Sequence, residues 1–320
     1  MNLPLTALLT TACCVFGAHA QNNYPARPVR LVVPFAAAGT NDIIARSLAE
    51  KFTARLGQPF VPDNRGGANT VVGSEIVARA APDGHTLLIV SASIAVNPGL
   101  VKRLPYDTAR DFAPVGMVAN GPYLMVIHPG VPAKTVNEFI TWVKAQNGKV
   151  DFASTGAGGP PHLAAELLRV TAGIAMQHVP YRGGGAVLPD LIAGRVHMFF
   201  GSIATLKPQV DGGRLRAIAM TTRQRASAMP DVPTFIESGL AGYEVNGWYG
   251  LFTTANTPTA IVQKLNVTLR QILTDTDTRA QFARNGLEPS PLSTTEFSKL
   301  LLSEIIKWAK VIKSAGIQPE

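Results

Sequence analysis

Short apolar runs alternate with longer amphipathic stretches along most of the chain. Residues 29–35 form a β-branched run of strand length. After it, Ile43, Ile44, Leu48, Phe52 and Leu56 recur at the spacing of one helix face. Residues 86–90, 196–200 and 215–221 read as further strands. Residues 134–149 read as a helix, with a Thr135…Glu138 capping box at its start and Gly148 past its end. Residues 151–153 lead through a Gly-rich loop into a helix over 160–171. Residues 177–180 lead through a second such loop into a helix over 186–193. Strand and helix alternating at this pitch predict an α/β architecture with mostly parallel sheets. The last part reads as helical. Thr257-Pro258 is placed as N-cap and first helical residue before the stripe Ile261, Leu265, Leu269, Ile272. Ser293…Glu296 is a capping box for a final helix whose face is Phe297, Leu301, Ile305, Trp308 and Ile312. Both stripes are read as core faces.

No repeat or low-complexity linker divides the chain into consecutive domains. Residues 123–128 and 247–253 look instead like crossings. If the chain crosses twice, residues 21–123 with 248–320 make one domain and residues 124–247 the other. A cleft then lies between them, where small-ligand sites tend to occur.

The first 20 residues change the picture. Residues 5–16 are an apolar run and Ala18-His19-Ala20 is an A-x-A cleavage site, so residues 1–20 read as an export signal. Its first residues carry no Lys or Arg, a departure from the usual pattern. Both cysteines, Cys13 and Cys14, fall in the removed piece. A mature chain starting at Gln21 would have no thiol, which excludes a disulfide scaffold or a cysteine metal site. A lipoprotein signal would place the lipid on Cys13 or Cys14. Thr10-Thr11-Ala12 fits that poorly, because an aliphatic residue is wanted first. No other stretch reaches the roughly 20 apolar residues of a membrane span.

With 46% hydrophobic and 16% charged residues, the chain can build a substantial core. The net charge of +8 survives cleavage, since residues 1–20 contain no Lys, Arg, Asp or Glu. This charge suits anionic ligands, or is simply a solvated surface. The basic residues are scattered, and no basic run interleaved with aromatics points to nucleic acid.

Three loops share one design: each follows a strand, is rich in small residues and opens a helix. Free backbone N–H groups and a positive helix end then meet at a sheet's carboxyl edge. The first runs from Phe35 through Ala36, Ala38 and Gly39 to Asn41 and Asp42. Asp42 would suit the helix dipole but oppose a bare anion, so it is either a structural cap or a contact through water or to a ligand hydroxyl or amino group. The second contains Ser154, Thr155, Gly156, Gly158 and, past two prolines, His162. With no acid before Glu166, it offers the best local chemistry for a carboxylate. A plain Gly-rich turn is the alternative, and His162 is either a donor to the ligand or a capping residue. The third contains Tyr181, Arg182 and Gly183. Arg182 could pair bidentately with a carboxylate or remain solvated, and Tyr181 is wall or core.

Enzyme signatures are missing. There is no G-x-S-x-G elbow, no H-E-x-x-H, no G-x-x-x-x-G-K-[ST] and no G-x-G-x-x-G. An enzyme would have to use Asp42 and His162 across the cleft, and no motif supports that. No catalytic residue, metal or cofactor is therefore expected.

Eight segments, taken in order, add a family resemblance. Pro34-Phe35-Ala36-Ala37-Ala38-Gly39-Thr40-Asn41-Asp42 resembles the P-F-x-x-G-G-x-x-D signature of the Bug family, the periplasmic substrate-binding proteins of tripartite tricarboxylate transporters. Further similar stretches are Asn64-Arg65-Gly66-Gly67-Ala68, Pro82-Asp83-Gly84-His85-Thr86-Leu87, Tyr106-Asp107 with Asp111-Phe112-Ala113-Pro114, Ser154-Thr155-Gly156-Ala157-Gly158 with His162-Leu163, Val179 to Gly183, Pro230-Asp231-Val232-Pro233-Thr234 and Trp248-Tyr249-Gly250-Leu251-Phe252. The resemblance implies a two-domain periplasmic binding protein of type II, a Venus flytrap with mixed or mostly parallel sheets and an interdomain cleft. It implies a small organic carboxylate as ligand, membrane permease subunits as partners, a monomer and no catalysis. In the family the first loop reaches the carboxylate partly through water, while the second and third bond it directly. A ligand sensor presenting its closed form to a signalling partner is the alternative. Two departures stand out: Ala38 replaces the first Gly of the usual pair, and Gly201 stands where many relatives carry Asp. The second makes an amino-acid ligand less expected.

Overall fold

The computed structural model describes residues 24–35, 37, 39–156, 158–181 and 184–319. Two mixed sheets organise them. The first has six strands in the order β11-β4-β10-β3-β1-β2, and the second has five, β7-β6-β8-β5-β9. In the first sheet lie β1 (Val29–Val33), β2 (Phe60–Asn64), β3 (Thr86–Ser91), β4 (Phe112–Asn120), β10 (Trp248–Thr254) and β11 (Glu288–Pro289). In the second lie β5 (Tyr123–Ile127), β6 (Asp151–Ser154), β7 (Gln177–Pro180), β8 (Met198–Ser202) and β9 (Arg216–Met220).

Pairings among β1, β2 and β3, and among β6, β7 and β8, are parallel, as their helical crossovers require. The antiparallel pairings involve β5, β10 and β11. β5 and β10 are the strands that begin after each passage between the sheets. Residues 123–128 and 247–253 are thus not the crossings themselves. The chain passes just before each, at Gly121-Pro122 and Asn246-Gly247. The two passages lie side by side: Gly121 N donates to Gly247 O, and Asn246 Nδ2 donates to Asn120 Oδ1 at 2.7 Å.

Ten α-helices cover the described sheets: α1 (Thr40–Leu56), α2 (Val71–Ala78), α3 (Ser93–Leu100), α4 (Val136–Ala145), α5 (Pro160–Ala172), α6 (Gly184–Ile192), α7 (Ile203–Asp211), α8 (Thr259–Thr274), α9 (Thr276–Arg284) and α10 (Thr294–Ser314). The stripe predicted around Ile44, Leu48 and Phe52 buries against β1 and β3 residues Leu31 and Ile89, with Leu265 and Leu269 of α8 on the same side. A second core runs from Val32 and Val90 through Trp308 to Phe152 and Phe200, so it continues from one sheet to the other. A third lies beneath α6 and α7.

Helix ends follow local chemistry, with two differences. Ser293 and Glu296 form the expected capping box. At α4, Thr135 Oγ1 accepts from Glu138 N at 3.2 Å, but the Glu138 carboxylate reaches Lys134 N at 2.6 Å instead of closing the box. At α8 the cap is Pro258, not Thr257. The Thr257 hydroxyl donates to Thr254 O at 2.8 Å, which ties it into the preceding turn. No described helix is long and apolar enough to cross a membrane. The proposed export signal, residues 1–20, lies outside the described residues.

Candidate functional site

Strand direction builds the site. The carboxyl ends of β1, β3, β6 and β8 face the gap between the sheets. Because β5 and β10 run antiparallel to their neighbours, their amino ends arrive at the same place: Tyr249 pairs with Ser91, and Tyr123 with Ser202. The cleft there has a volume of about 280 Å³ and is lined from both sheets. Phe35, Gly39, Thr40, Asn41, Ser91 and Tyr249 come from one side. Tyr123, Thr155, Pro160, Pro161, Phe199, Gly201, Ser202 and Thr205 come from the other.

Three helix N-termini, those of α1, α5 and α7, open onto this cleft. Each carries roughly half a positive charge from its peptide dipoles. None of the described lining residues is Lys, Arg, His, Asp or Glu. The field in the cleft therefore comes from backbone and hydroxyl groups. Asn41 is 6% exposed, and its amide oxygen has no hydrogen-bond partner in the protein. Such a group, facing a cleft, suits a water or a ligand donor. Burial pushes the Tyr249 hydroxyl up to about 12, and burial beside Tyr249 pushes Tyr123 up as well. Both are phenols, and so donors, at neutral pH.

The first loop supplies Phe35, Gly39 and Asn41 to the cleft wall. Its backbone is steadied from the next motif, where Asn64 Nδ2 donates to Phe35 O at 3.2 Å. Asp42 turns along its own helix, and its carboxylate accepts from Arg46 Nε at 2.9 Å. Ala36 and Ala38 lie outside the described residues, as do Arg182 and Gly183 of the third loop.

The second loop spends much of its polarity on itself. Ser154 is fully buried, donates to Gly156 O at 3.0 Å and accepts from Gly156 N at 3.1 Å. Gly158 N donates to His162 Nδ1 at 2.9 Å, and Gly159 N to Gly156 O at 3.3 Å. Pro160 and Pro161 open α5 and have no N–H to offer. The amides of Gly156, Gly158 and Gly159 are therefore engaged within the loop, and Thr155 is the residue of positions 154–156 that lines the cleft. Gly156 and Gly158 adopt φ of 137° and 71°, which a side chain would strain. Gly158 faces away, onto Leu100. There it borders a larger cavity of about 500 Å³ with Ala68, Asn69, Arg103 and Ile317. That cavity is larger, but the strand ends and helix N-termini converge on the smaller one.

His162 is 5% exposed and belongs to a stack behind the loop, not to the cleft lining. Its ring centroid lies 3.9 Å from that of His178, and Phe152 flanks His178 at 5.0 Å. His178 Nε2 is 2.6 Å from Ser154 Oγ. Burial is the main cause that holds the His178 ring down at about 4; the neighbouring His162 adds to it and Glu166 opposes it. In the third loop, Tyr181 N donates to Ser154 O at 3.0 Å and the Tyr181 hydroxyl donates to Asp190 Oδ2 at 2.8 Å. The structure thus brings Phe35, Gly39, Asn41 and Thr155 together at the cleft, and puts Ser154, His162 and Tyr181 in its support.

Comparison with known proteins agrees with this architecture. Residues 44–317 match the tripartite tricarboxylate transporter family receptor. The chain belongs to that family. Protein BugT of Bordetella pertussis is 33% identical over 92% of this chain and 91% of its own. The UPF0065 protein in the tcbD-tcbE intergenic region of Pseudomonas sp. (strain P51) is 35% identical, over 90% of this chain and 86% of its own. Among solved structures, R. palustris Rpa4515 with adipate superposes with a TM-score of 0.82 at 34% identity, covering 93% of this chain and 100% of that one. MatC from Rhodopseudomonas palustris with bound malate gives 0.76 at 32% identity, covering 90% and 100%. The periplasmic binding protein BugD gives 0.78 at 32% identity, covering 93% and 100%. The fold is that of a two-domain periplasmic binding protein.

Sequence reasoning did not single out Tyr123, Ser91, Phe199, Ser202, Thr205 and Tyr249 as site residues. Two signals were available. Tyr123 and Tyr249 stand where the chain passes between the sheets, which is where a cleft must be. Ser202 ends a strand and caps a helix, accepting from Thr205 N at 3.4 Å. Without glycines, that junction does not announce itself as a binding loop.

Proposed function

We propose that the chain is an extracytoplasmic solute-binding protein of the periplasm. It captures a small organic carboxylate in the cleft and delivers it to the permease subunits of a tripartite tricarboxylate-type transporter. Residues 21–123 with 248–320 act as one domain and residues 124–247 as the other. The carrying observation is the convergence of three helix N-termini on a cleft whose described lining has no charged side chain. A single anion satisfies such a field, whereas a cation or a neutral sugar does not. Relatives bound to adipate and malate support the same ligand class.

In this reading Phe35, Gly39, Asn41, Asp42 and Thr155 with Arg182 and Gly183 meet the ligand directly or through water, and Tyr181 holds the third loop against Ser154 and Asp190. Ser154, Gly156, Gly158 and His162 hold the second loop in shape, and Ala36 and Ala38 set the path of the first. Micromolar affinity needs about −8 kcal/mol. Four or five charge-assisted bonds at roughly 1.5–3 kcal/mol each supply it after the cost of ordering. Closure follows because only the closed form touches the ligand from both sides.

A thermal-shift screen of the purified protein against mono-, di-, tri- and aromatic carboxylates tests this, with sugars and amino acids as controls. A ligand at 100 times its dissociation constant adds about 2.7 kcal/mol, a shift of several degrees in a chain of this size. Shifts with sugars or amino acids alone would overturn the carboxylate reading. Uptake of the identified ligand by cells lacking the chain tests delivery: undiminished uptake would refute it.

A further inference from the structure

The cavity of about 500 Å³ lies outside the cleft, and the two share no described lining residue. Its volume falls inside the roughly 300–1,000 Å³ range of small-molecule sites. Val71, Leu100, Val101, Pro105 and Ile317 give it aliphatic walls, and no described lining residue is aromatic. Water finds few partners against such walls, so hydrocarbon is favoured there. Arg103 is the one charged residue among the described lining residues. Neither its guanidinium nor the ammonium of the adjoining Lys102 has a hydrogen-bond or ion-pair partner among the described residues, and both residues are exposed.

One wall is held in a costly shape. Ala68, Asn69 and Thr70 have φ of 44°, 49° and 77°, the left-handed region that residues with side chains avoid. Such residues persist where surrounding contacts over-determine them. Asn97, fully buried on α3, supplies those contacts. Its Nδ2 donates to Asn69 O at 2.9 Å and to Thr70 Oγ1 at 3.2 Å, and its Oδ1 accepts from Asn69 Nδ2 at 2.9 Å. The wall at Ala68 and Asn69 is thereby tied to α3, whose last residue is Leu100. Gly158 of the second loop completes the cavity, and its φ of 71° and closeness to Leu100 leave no room for a Cβ.

We infer that this cavity is a second binding site, separate from the cleft, for an amphipathic anion of the medium-chain fatty-acid class, with its hydrocarbon chain against Leu100, Val101 and Ile317 and its carboxylate on Arg103. A flexible chain suits the aliphatic lining, whereas a flat ring finds nothing there to stack on. A guanidinium without an internal partner gains a charge-assisted bond and gives none up. The wall fixed by Asn97 needs no reshaping when the chain enters, which lowers the cost of binding. The inference does not depend on what the cleft binds.

Isothermal titration of the purified protein with decanoate, octanoate and 1-octanol, each below its aggregation limit, tests this. Decanoate is expected to saturate a single site and to bind at least threefold more tightly than octanoate, because two more CH₂ groups are buried. Arg103→Gln should weaken octanoate at least threefold while 1-octanol changes less than twofold, a split that a general loss of stability does not produce. Val101→Trp, which fills the cavity, should abolish binding of both, with its Tm reporting that it folds. Thr155→Ala, at the cleft, should leave decanoate binding unchanged. Absence of saturable decanoate binding would overturn the inference, and so would binding that survives both Arg103→Gln and Val101→Trp. Decanoate binding lost in Thr155→Ala would move it to the cleft and overturn the second site. Co-sedimentation with phosphatidylglycerol vesicles that Arg103→Gln abolishes, without binding of free decanoate, would make this a membrane contact and overturn the free-ligand assignment.

Discussion

Lowering the pH from 7.5 to 5 should destabilise the protein through His178, and His178→Gln should remove that part of the sensitivity. His178 lies on β7 with its ring against those of His162 and Phe152 and its Nε2 at Ser154 Oγ. Its charged neighbourhood is the buried Glu166, held by Arg169 at 2.5 Å. In the folded protein the ring titrates near 4, against 6.5 for an exposed histidine, chiefly because burial disfavours the charged form. Between these two values the unfolded chain binds more protons than the folded one, so stability rises with pH across this window. The penalty is absent above 6.5 and complete below about 4. For a fully shielded ring the loss at pH 5 would be about 2 kcal/mol. His178 is only partly buried, and solvent screening lowers the figure to about 1 kcal/mol. In a chain of 320 residues this is roughly 2 °C in Tm. Scanning calorimetry of wild type and variant between pH 5 and 7.5 isolates the effect, because the other groups titrate in both proteins. The wild type should lose about 2 °C of its advantage over the variant on going to pH 5. Parallel Tm curves would refute the claim that this imidazole is held neutral by its stack.

Two further outcomes follow from other contacts. Asn266 is 6% exposed and its amide donates to Val115 O at 2.7 Å and Leu292 O at 3.2 Å, so Asn266→Ala should cost about 1–3 kcal/mol; a urea midpoint that does not move would show that water replaces the amide. Thr155→Ala should weaken binding of whichever carboxylate the screen identifies about tenfold, the loss of one charge-assisted bond, while the Tm of the free protein stays within a degree; unchanged affinity would take Thr155 out of the site.

Much of the fold was legible along the chain because it rests on local periodicity. The stripe from Ile44 to Phe52 and the one from Phe297 to Ile312 name their buried faces directly, and Ser293…Glu296 marks the start of α10. β4 is not among the strands named from the sequence, since Phe112 to Asn120 contains Pro114, Gly116 and Asn120 and lacks a clear strand pattern; pairing with β10 defines it. The strand–loop–helix junctions likewise located part of the cleft: Phe35, Gly39, Asn41 and Thr155 reach it from loops that glycine, threonine and serine mark in the sequence.

What the sequence determined by itself was the alternation of elements, the family they belong to and the loops that open helices toward a ligand. These depend on neighbours three or four residues away and on caps. Which groups in those loops remain available depends instead on long-range packing. Ser154 goes to His178 of the neighbouring strand, His162 stacks on the same ring, and Gly158 turns to Leu100, all through contacts between segments far apart in the chain. The grouping of ring residues at the cleft was also a tertiary outcome. Tyr123, Phe199 and Tyr249 come from three strands in two sheets, and antiparallel pairing sets their register; nothing in the sequence near any one of them fixes the distance to the others.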